Sequence, residues 1–368
     1  MTTTTELVRQ RLTSQQLSTS SCGSVAQVVQ HMGAMQAQDY DMAKWAVGVR
    51  LPGSTEQLVE EAMTRGDVLR THLLRPTWHL VAASDIYWLL DLTAPHVKRL
   101  MAGRNRDLGL TEDVLTKSNT LIEQALADHT YLTREELMSR LQLGGINTSD
   151  LRASHLMMHA ELTGLVCNGP RLPNERGVKQ PTYALLRERV PIRQTLSRDE
   201  ALTKLAKRYF TSHGPASLKD FVWWSGLSVT DARRAIEDAH SLLTSVTVEH
   251  QLYWLAQSAG NVPERPDQVQ FLPAFDEFMV SYCDRTASLA PEFTRQTITS
   301  NGIFKPVIIV NGQVVGSWKR TRTLNSITID LTLFYALSTD LTEQIHEAAN
   351  AYRTYAGVEK DWRLRQQS

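Results

Sequence analysis

The sequence predicts an α+β fold: three tandem winged-helix units, each a helix-turn-helix followed by a β-hairpin, then a C-terminal β-rich part and a terminal helix. Three observations carry this. The order helix, tight turn, helix, hairpin recurs three times before residue 270. Beyond that point the texture changes to apolar runs rich in β-branched residues. The 368 residues, 42% hydrophobic and 21% charged, are those of an ordinary globular chain with room for two or three compact units, which excludes wholesale disorder.

The first copy, within residues 1–115, is the least regular. SVAQVVQHMGAMQAQ, DMAKWAVGV and STEQLVEEAMTRG read as helices, and VLRTHLL and TWHLVA as strands around Arg75-Pro76. The middle copy, residues 116–195, is the clearest. Thr133 with Glu136 three residues later forms a capping box, Gly144 and Gly145 break the helix, and Ser149 or Asp150 caps a second one. On that helix Leu151, His155, Met158 and Leu162 share one face. LVCN and PTYALL then flank a Pro/Gly-rich hairpin tip, GPRLPNERGVKQP. In the third copy, residues 196–270, Ser217 caps LKDFVWWSG, Thr230 caps DARRAIEDAH, and LLTSVTV and QLYWLA pair across a tight turn at Glu249-His250. In residues 271–368, FLPAFDEFMVSY reads as a strand, IFKPVIIVNGQVVGSWKRT as a hairpin with a type I′ turn at Asn311-Gly312, SITIDLTLFYAL as a further strand, and LTEQIHEAANAYRTYAG as a closing helix. A generic α+β chain with alternating helix pairs and hairpins is the competing description.

Charge and cysteine usage narrow the class. Lys+Arg and Asp+Glu are both 39, so the net charge is zero and no segment is a basic arm, which weighs against capture of polyanions by bulk charge. Three distant cysteines, Cys22, Cys167 and Cys283, with no CxxC spacing, exclude a disulfide framework or a zinc finger and fit a reducing cytoplasm. The polar N-terminus lacks an apolar signal core, and no run of about 18 apolar residues is present, so neither secretion nor a membrane is expected.

A winged helix by default reads nucleic acid, its second helix entering a groove and its wing touching the backbone, although the fold also serves protein–protein contacts. Lys44 and Arg50 in the first copy, Arg152 and His155 in the second, and Arg233 and Arg234 in the third are the candidate DNA-facing residues. The wing residues Arg171, Arg176 and Lys179 are the better phosphate contacts, being basic and Gly/Pro-punctuated. GxSxG, Walker, HExxH and GxGxxG motifs are all absent. His155 and His159 at i, i+4 lack a third ligand at diagnostic spacing, so no metal and no cofactor are expected. The acids Asp276-Glu277 in an apolar stretch suggest a structural carboxylate, anchored by an arginine such as Arg285.

The runs GAMQAQDYDMAKWAVGVRL and LRTHLLRPTWHLV, with HGPASLKDFVWWSGL, LPAFDEFMVSYCDR and GIFKPVIIVNGQVVGSWKR, resemble the winged-helix DNA glycosylases of the AlkZ type from about residue 30 to residue 320. The resemblance implies three tandem winged helices in a C-shaped, DNA-cradling arrangement. It implies a monofunctional glycosylase that hydrolyses the N-glycosidic bond of alkylated purines, N7-alkylguanine above all, and unhooks interstrand crosslinks. Its partner would be double-stranded DNA carrying such bases; a single chain with three reading modules has no evident need to dimerise, so a monomer is expected. The family's Gln-apolar-Gln signature falls on Gln36-Ala37-Gln38, with Asp39 adding a negative field, and the RPTWH block places Arg75, Thr77 and His79 along the same surface. His79 reads equally well as a packed strand residue. A non-enzymatic winged-helix DNA-binding protein and an interaction scaffold are the rival functions.

Overall fold

A computed structural model describes residues 3–260, 262, 268–323, 326–358 and 361–367. The chain divides into two compact units, one formed by Met1–Glu60, Leu202–Trp224 and Ser228–Ser368, the other by Glu61–Ala201 with Ser225–Leu227. This division crosses the first expected segment, whose helices up to Glu60 fall in one unit and whose hairpin falls in the other.

The larger unit is organised by a five-stranded sheet of Val269–Leu272, Val307–Val310, Gln313–Arg322, Ser326–Leu333 and Asp361–Gln367, in that spatial order. The first three pairings are antiparallel and the last is parallel. A parallel neighbour needs a crossover, and the helix Thr339–Tyr355 provides it. The Asn311-Gly312 turn is as expected, with both residues at positive φ, +49° and +80°. A Cβ on Gly312 would stand 2.3 Å from Val8 Cγ1, so the turn also needs glycine where the N-terminal helix Thr4–Ser14 packs beside it. Leu7, Val8 and Leu12 of that helix join Leu272, Phe278, Val307, Ile309 and Val314 in one apolar core.

Two further parts of this unit bear on the site. The helix Tyr40–Gly48 docks through Trp45, whose ring packs on Tyr352 and Tyr355 and whose Nε1 donates to the Phe271 carbonyl at 2.7 Å. Gly48 is required there, since a Cβ would fall 2.4 Å from the Tyr355 ring. The third segment forms helices Leu218–Ser225 and Val229–Asp238 and the hairpin Leu243–Val248/Gln251–Ala256. Ser217 caps the first of these helices as expected, its side chain accepting from the Asp220 amide while Asp220 accepts in return. Ser228, not Thr230, caps the second.

In the smaller unit, Val68–Leu73 and Thr77–Ala82 form the expected antiparallel hairpin. A long helix, Ile86–Asp107, leads on to Glu112–Leu126, Arg134–Leu143 and Arg152–Leu162. The last three share one core, which includes Ile122, Leu137, Leu141, Leu156, Ala160, Val166 and Leu185. The Thr133–Glu136 capping box is present. Neither Ser149 nor Asp150 caps the next helix: Asp150 takes φ +55° and Leu151 starts it without a side-chain cap. Val166–Asn168 then pairs with Tyr183–Leu185, and Leu172–Pro173 with Lys179–Gln180 at the hairpin tip.

Two elements depart from expectation where the site lies. The helix predicted over residues 24–38 ends at Met32, because Gly33 takes φ +80° and closes it; Met35–Gln36 is extended instead. The strand predicted over residues 271–282 ends at Leu272. Pro273 has no N–H for the ladder, and Asp276 caps a one-turn helix, Glu277–Val280.

A candidate active site around the glutamine pair

Gln36-Ala37-Gln38 sits where the chain leaves one helix and has not begun the next. Ala37 is fully buried, Gln36 half-buried and Gln38 exposed. Burial alternates along this short stretch, Met35 and Ala37 being buried while Gln36 and Gln38 are more accessible. That is the local reason for a Gln-small-Gln pattern. Asp39, also exposed, accepts from the Met42 N–H at 3.1 Å and caps the helix Tyr40–Gly48, which fixes the downstream end of the motif.

The upstream end is fixed from far along the chain. The Gln36 N–H donates to Glu277 Oε1 at 2.6 Å, across 241 residues of sequence. The other carboxylate oxygen accepts from Trp224 Nε1 at 3.0 Å and from the Ser281 hydroxyl, with His213 Nε2 3.5 Å away. Glu277 is 1% exposed. Burial alone pushes its carboxyl up, but His213, Ser281 and the Gln36 N–H together outweigh that and hold it at about 2. Burial moves the His213 imidazole the opposite way, below its ordinary value, so at neutral pH a neutral imidazole faces an ionised carboxylate. His213 is stacked on Tyr209 at 4.8 Å, and its Nδ1 meets Ser212 Oγ at 2.7 Å.

The neighbouring acid has a different partner. Arg50 holds Asp276 through two bonds of 2.8 Å, both side chains being 0% exposed, and also donates to Gln15 and to the Ala46 carbonyl. Gln15 Nε2 reaches the Tyr282 hydroxyl, which donates to the His213 carbonyl. One buried polar network therefore joins Arg50, Asp276, Gln15, Tyr282, His213 and Glu277 beneath the motif.

This corrects three expectations. Arg50 is not DNA-facing; it is sealed inside on Asp276. Lys44 is likewise 3% exposed, with Glu56 at 2.8 Å, Glu60 at 3.1 Å and Asp41 at 3.3 Å around its ammonium. The anchor of the Asp276-Glu277 pair is Arg50 rather than Arg285, which donates to the Met279 and Cys283 carbonyls. His213 and Trp224 were missed as site residues. Their only signal in the sequence is membership of the HGPASLKDFVWWSGL block.

Other expected residues lie in the smaller unit. Arg75 and Thr77, at the turn of the Val68–Ala82 hairpin, are half-buried. His79 is fully buried with Nδ1 3.0 Å from the Thr77 carbonyl, so the packed-strand reading is the correct one. Arg152 is half-buried, donating to the Leu108 carbonyl and paired with Asp150, and His155 bonds Asn105. In the wing, Arg171 donates to the Lys179 carbonyl, while the side chains of Arg176 and Lys179 are exposed. Arg233 and Arg234, in the larger unit, are exposed, Arg234 lying 3.7 Å from Asp238. Among the described residues no group of three His, Cys, Asp or Glu side chains could hold a metal ion, and no helix is long and apolar enough to cross a membrane.

An interstrand DNA cross-link repair glycosylase of Streptomyces sahachiroi is 25% identical over 311 residues, 80% of this chain and 82% of the relative. The solved structure of the S. sahachiroi DNA glycosylase AlkZ superposes with a TM-score of 0.82 at 23% identity, covering 99% of both chains, and establishes the mixed α+β fold. The family model for AlkZ-like DNA glycosylases matches residues 29–355, and the chain belongs to that family.

Proposed function

We propose that this chain hydrolyses the N-glycosidic bond of alkylated purines in double-stranded DNA, N7-alkylguanine first, and unhooks interstrand crosslinks at such bases, with Gln36 and Gln38 positioning the water and the sugar. The observation that carries this is the disposition of the pair: two accessible glutamines flanking a buried alanine, on a stretch tied at both ends, by Glu277 and by the Asp39 cap. An N7-alkylated guanine is already cationic and departs without a general acid. What remains is to orient a water beneath C1′ and stabilise a sugar with oxocarbenium character, tasks of positioning and electrostatics. A carboxamide suits them, offering one acceptor and two donors without changing charge near pH 7. Asp39 adds negative potential beside the developing cation while it caps its helix. A neutral purine is a poorer leaving group, so the same groups leave undamaged bases intact.

A crosslinked base cannot leave the duplex fully, and half-buried and exposed glutamines suit it better than a deep pocket. The printed name of the Streptomyces relative, a cross-link repair glycosylase, supports the same substrate class. In this reading the second and third winged-helix segments engage the duplex through exposed basic residues, Arg176, Lys179, Arg233 and Arg234, and the enzyme works as a monomer in the cytoplasm, without a cofactor. The test is release of free 7-methylguanine from methylated duplex DNA by the purified chain. Release well above the spontaneous rate is expected, with none from undamaged duplex. Retention of DNA with no release contradicts the glycosylase reading and leaves a non-enzymatic DNA-binding protein.

A further inference from the structure

We infer that Glu277 is a positioning residue for catalysis: its carboxylate, set by Trp224, Ser281 and His213, fixes the Gln36 peptide and so aims the glutamine pair. This rests on the catalytic role proposed above for Gln36 and Gln38.

An ionised carboxylate taken fully out of water is expensive, and a structural tie could be made by a neutral group or avoided by apolar packing. Here the carboxylate is buried beneath the motif and aims one oxygen at a backbone N–H of the motif itself. A bond from an amide to a carboxylate is charge-assisted and roughly twice as strong as one to a neutral acceptor. The opposite oxygen carries the Trp224 and Ser281 donors, with His213 behind it, so the carboxylate cannot rotate away from Gln36.

The backbone that delivers Glu277 is itself constrained. Phe275 takes φ +57°, an uncommon conformation for a bulky residue that surrounding structure must hold in place. Asp276 then points to Arg50 with two bonds while Glu277 points to Gln36. Consecutive acids thus divide two tasks, Asp276 locking the short helix and Glu277 reaching the motif. Because Gln36 and Gln38 are two residues apart on one segment, a shift of the Gln36 peptide moves both amides. A displacement of about 1 Å at a reacting centre costs about 100-fold in rate.

The experiment measures the full-length enzyme in single turnover on duplex DNA with one N7-methylguanine, with duplex affinity and exchange of the Gln36 amide measured alongside. For Glu277→Gln, the excision rate should fall about 100-fold while duplex affinity stays within about twofold, because the defect is one of aim. The Gln36 amide should exchange at least about tenfold faster, having lost its charge-assisted acceptor. An excision rate within about threefold of wild type, or rate and affinity falling together, overturns the inference. If Glu277→Gln does not fold, Trp224→Phe and Ser281→Ala each remove one donor and keep the carboxylate; each should slow excision about tenfold at duplex affinity within about twofold, and unchanged rates overturn the inference. Failure of the wild type to excise the base overturns the proposed function instead, and the inference with it.

Discussion

Arg50 and Lys44 show how little a residue's type says about where its charge is used. Both are basic and close to the glutamine motif, and both are internal, Arg50 on Asp276 and Lys44 among three carboxylates. Removing one member of a buried pair leaves an uncompensated charge, so Asp276→Ala should lower unfolding free energy by about 3–5 kcal/mol. Denaturant unfolding of the purified variant measures it, and a loss below about 1 kcal/mol contradicts a stability role for the pair. The sequence did not reveal this partnership because the two residues are 226 positions apart. Gln36-Ala37-Gln38 was legible because a local three-residue pattern inside a recognised block identifies itself. Glu277 stood in view as one of a buried acid pair, but its role depended on Gln36, 241 residues away, and no local rule connects them.

At the scale of elements, periodicity and turn chemistry carried most of the reading. The middle helices, the Asn311-Gly312 hairpin and the Leu243–Val248/Gln251–Ala256 hairpin fall where the patterns put them, although the helix Arg152–Leu162 buries Leu156, Met157 and Ala160 and leaves Leu151 of the expected face exposed. Two errors share one cause, backbone that changes direction beside the site. Apolar runs at residues 24–38 and 271–282 look continuous, yet Gly33 and Pro273 each end an element early. The N-terminal helix and the final parallel strand Asp361–Gln367 were not foreseen, being polar segments whose order comes from packing. The wing gives an element-level prediction. Arg176 and Lys179 are exposed at its tip, so if they meet phosphates, the double substitution to alanine should flatten the salt dependence of log K for duplex DNA by about two units of slope. Melting should be unchanged, as surface substitutions seldom exceed about 0.5 kcal/mol. An unaltered slope removes the wing from the interface.

For the whole molecule, 39 basic and 39 acidic side chains first look like an obstacle to DNA binding. Part of that balance is internal, since Arg50 and Lys44 are neutralised in the interior. The remaining charge predicts modest, salt-sensitive affinity. Acid behaviour follows from burial. His31, His155, His159 and His213 are all held below the ordinary histidine value of 6.5, with burial the first cause in each. The unfolded chain therefore binds more protons than the native one as pH falls through about 6.5, and stability declines there. Glu277, at about 2 against 4.5 unfolded, adds a second loss as pH falls from 4.5 towards 2. Thermal melts between about pH 7.5 and pH 3 should show a falling midpoint across both intervals, and a flat curve contradicts the buried-neutral histidines. The role of the glutamines is tested by single-turnover excision of 7-methylguanine from duplex DNA by wild type, Gln36→Ala and Gln38→Ala, with duplex affinity determined for each. A drop of about 100-fold or more in rate is expected for either variant at nearly unchanged affinity. Wild-type rates in both variants would contradict it.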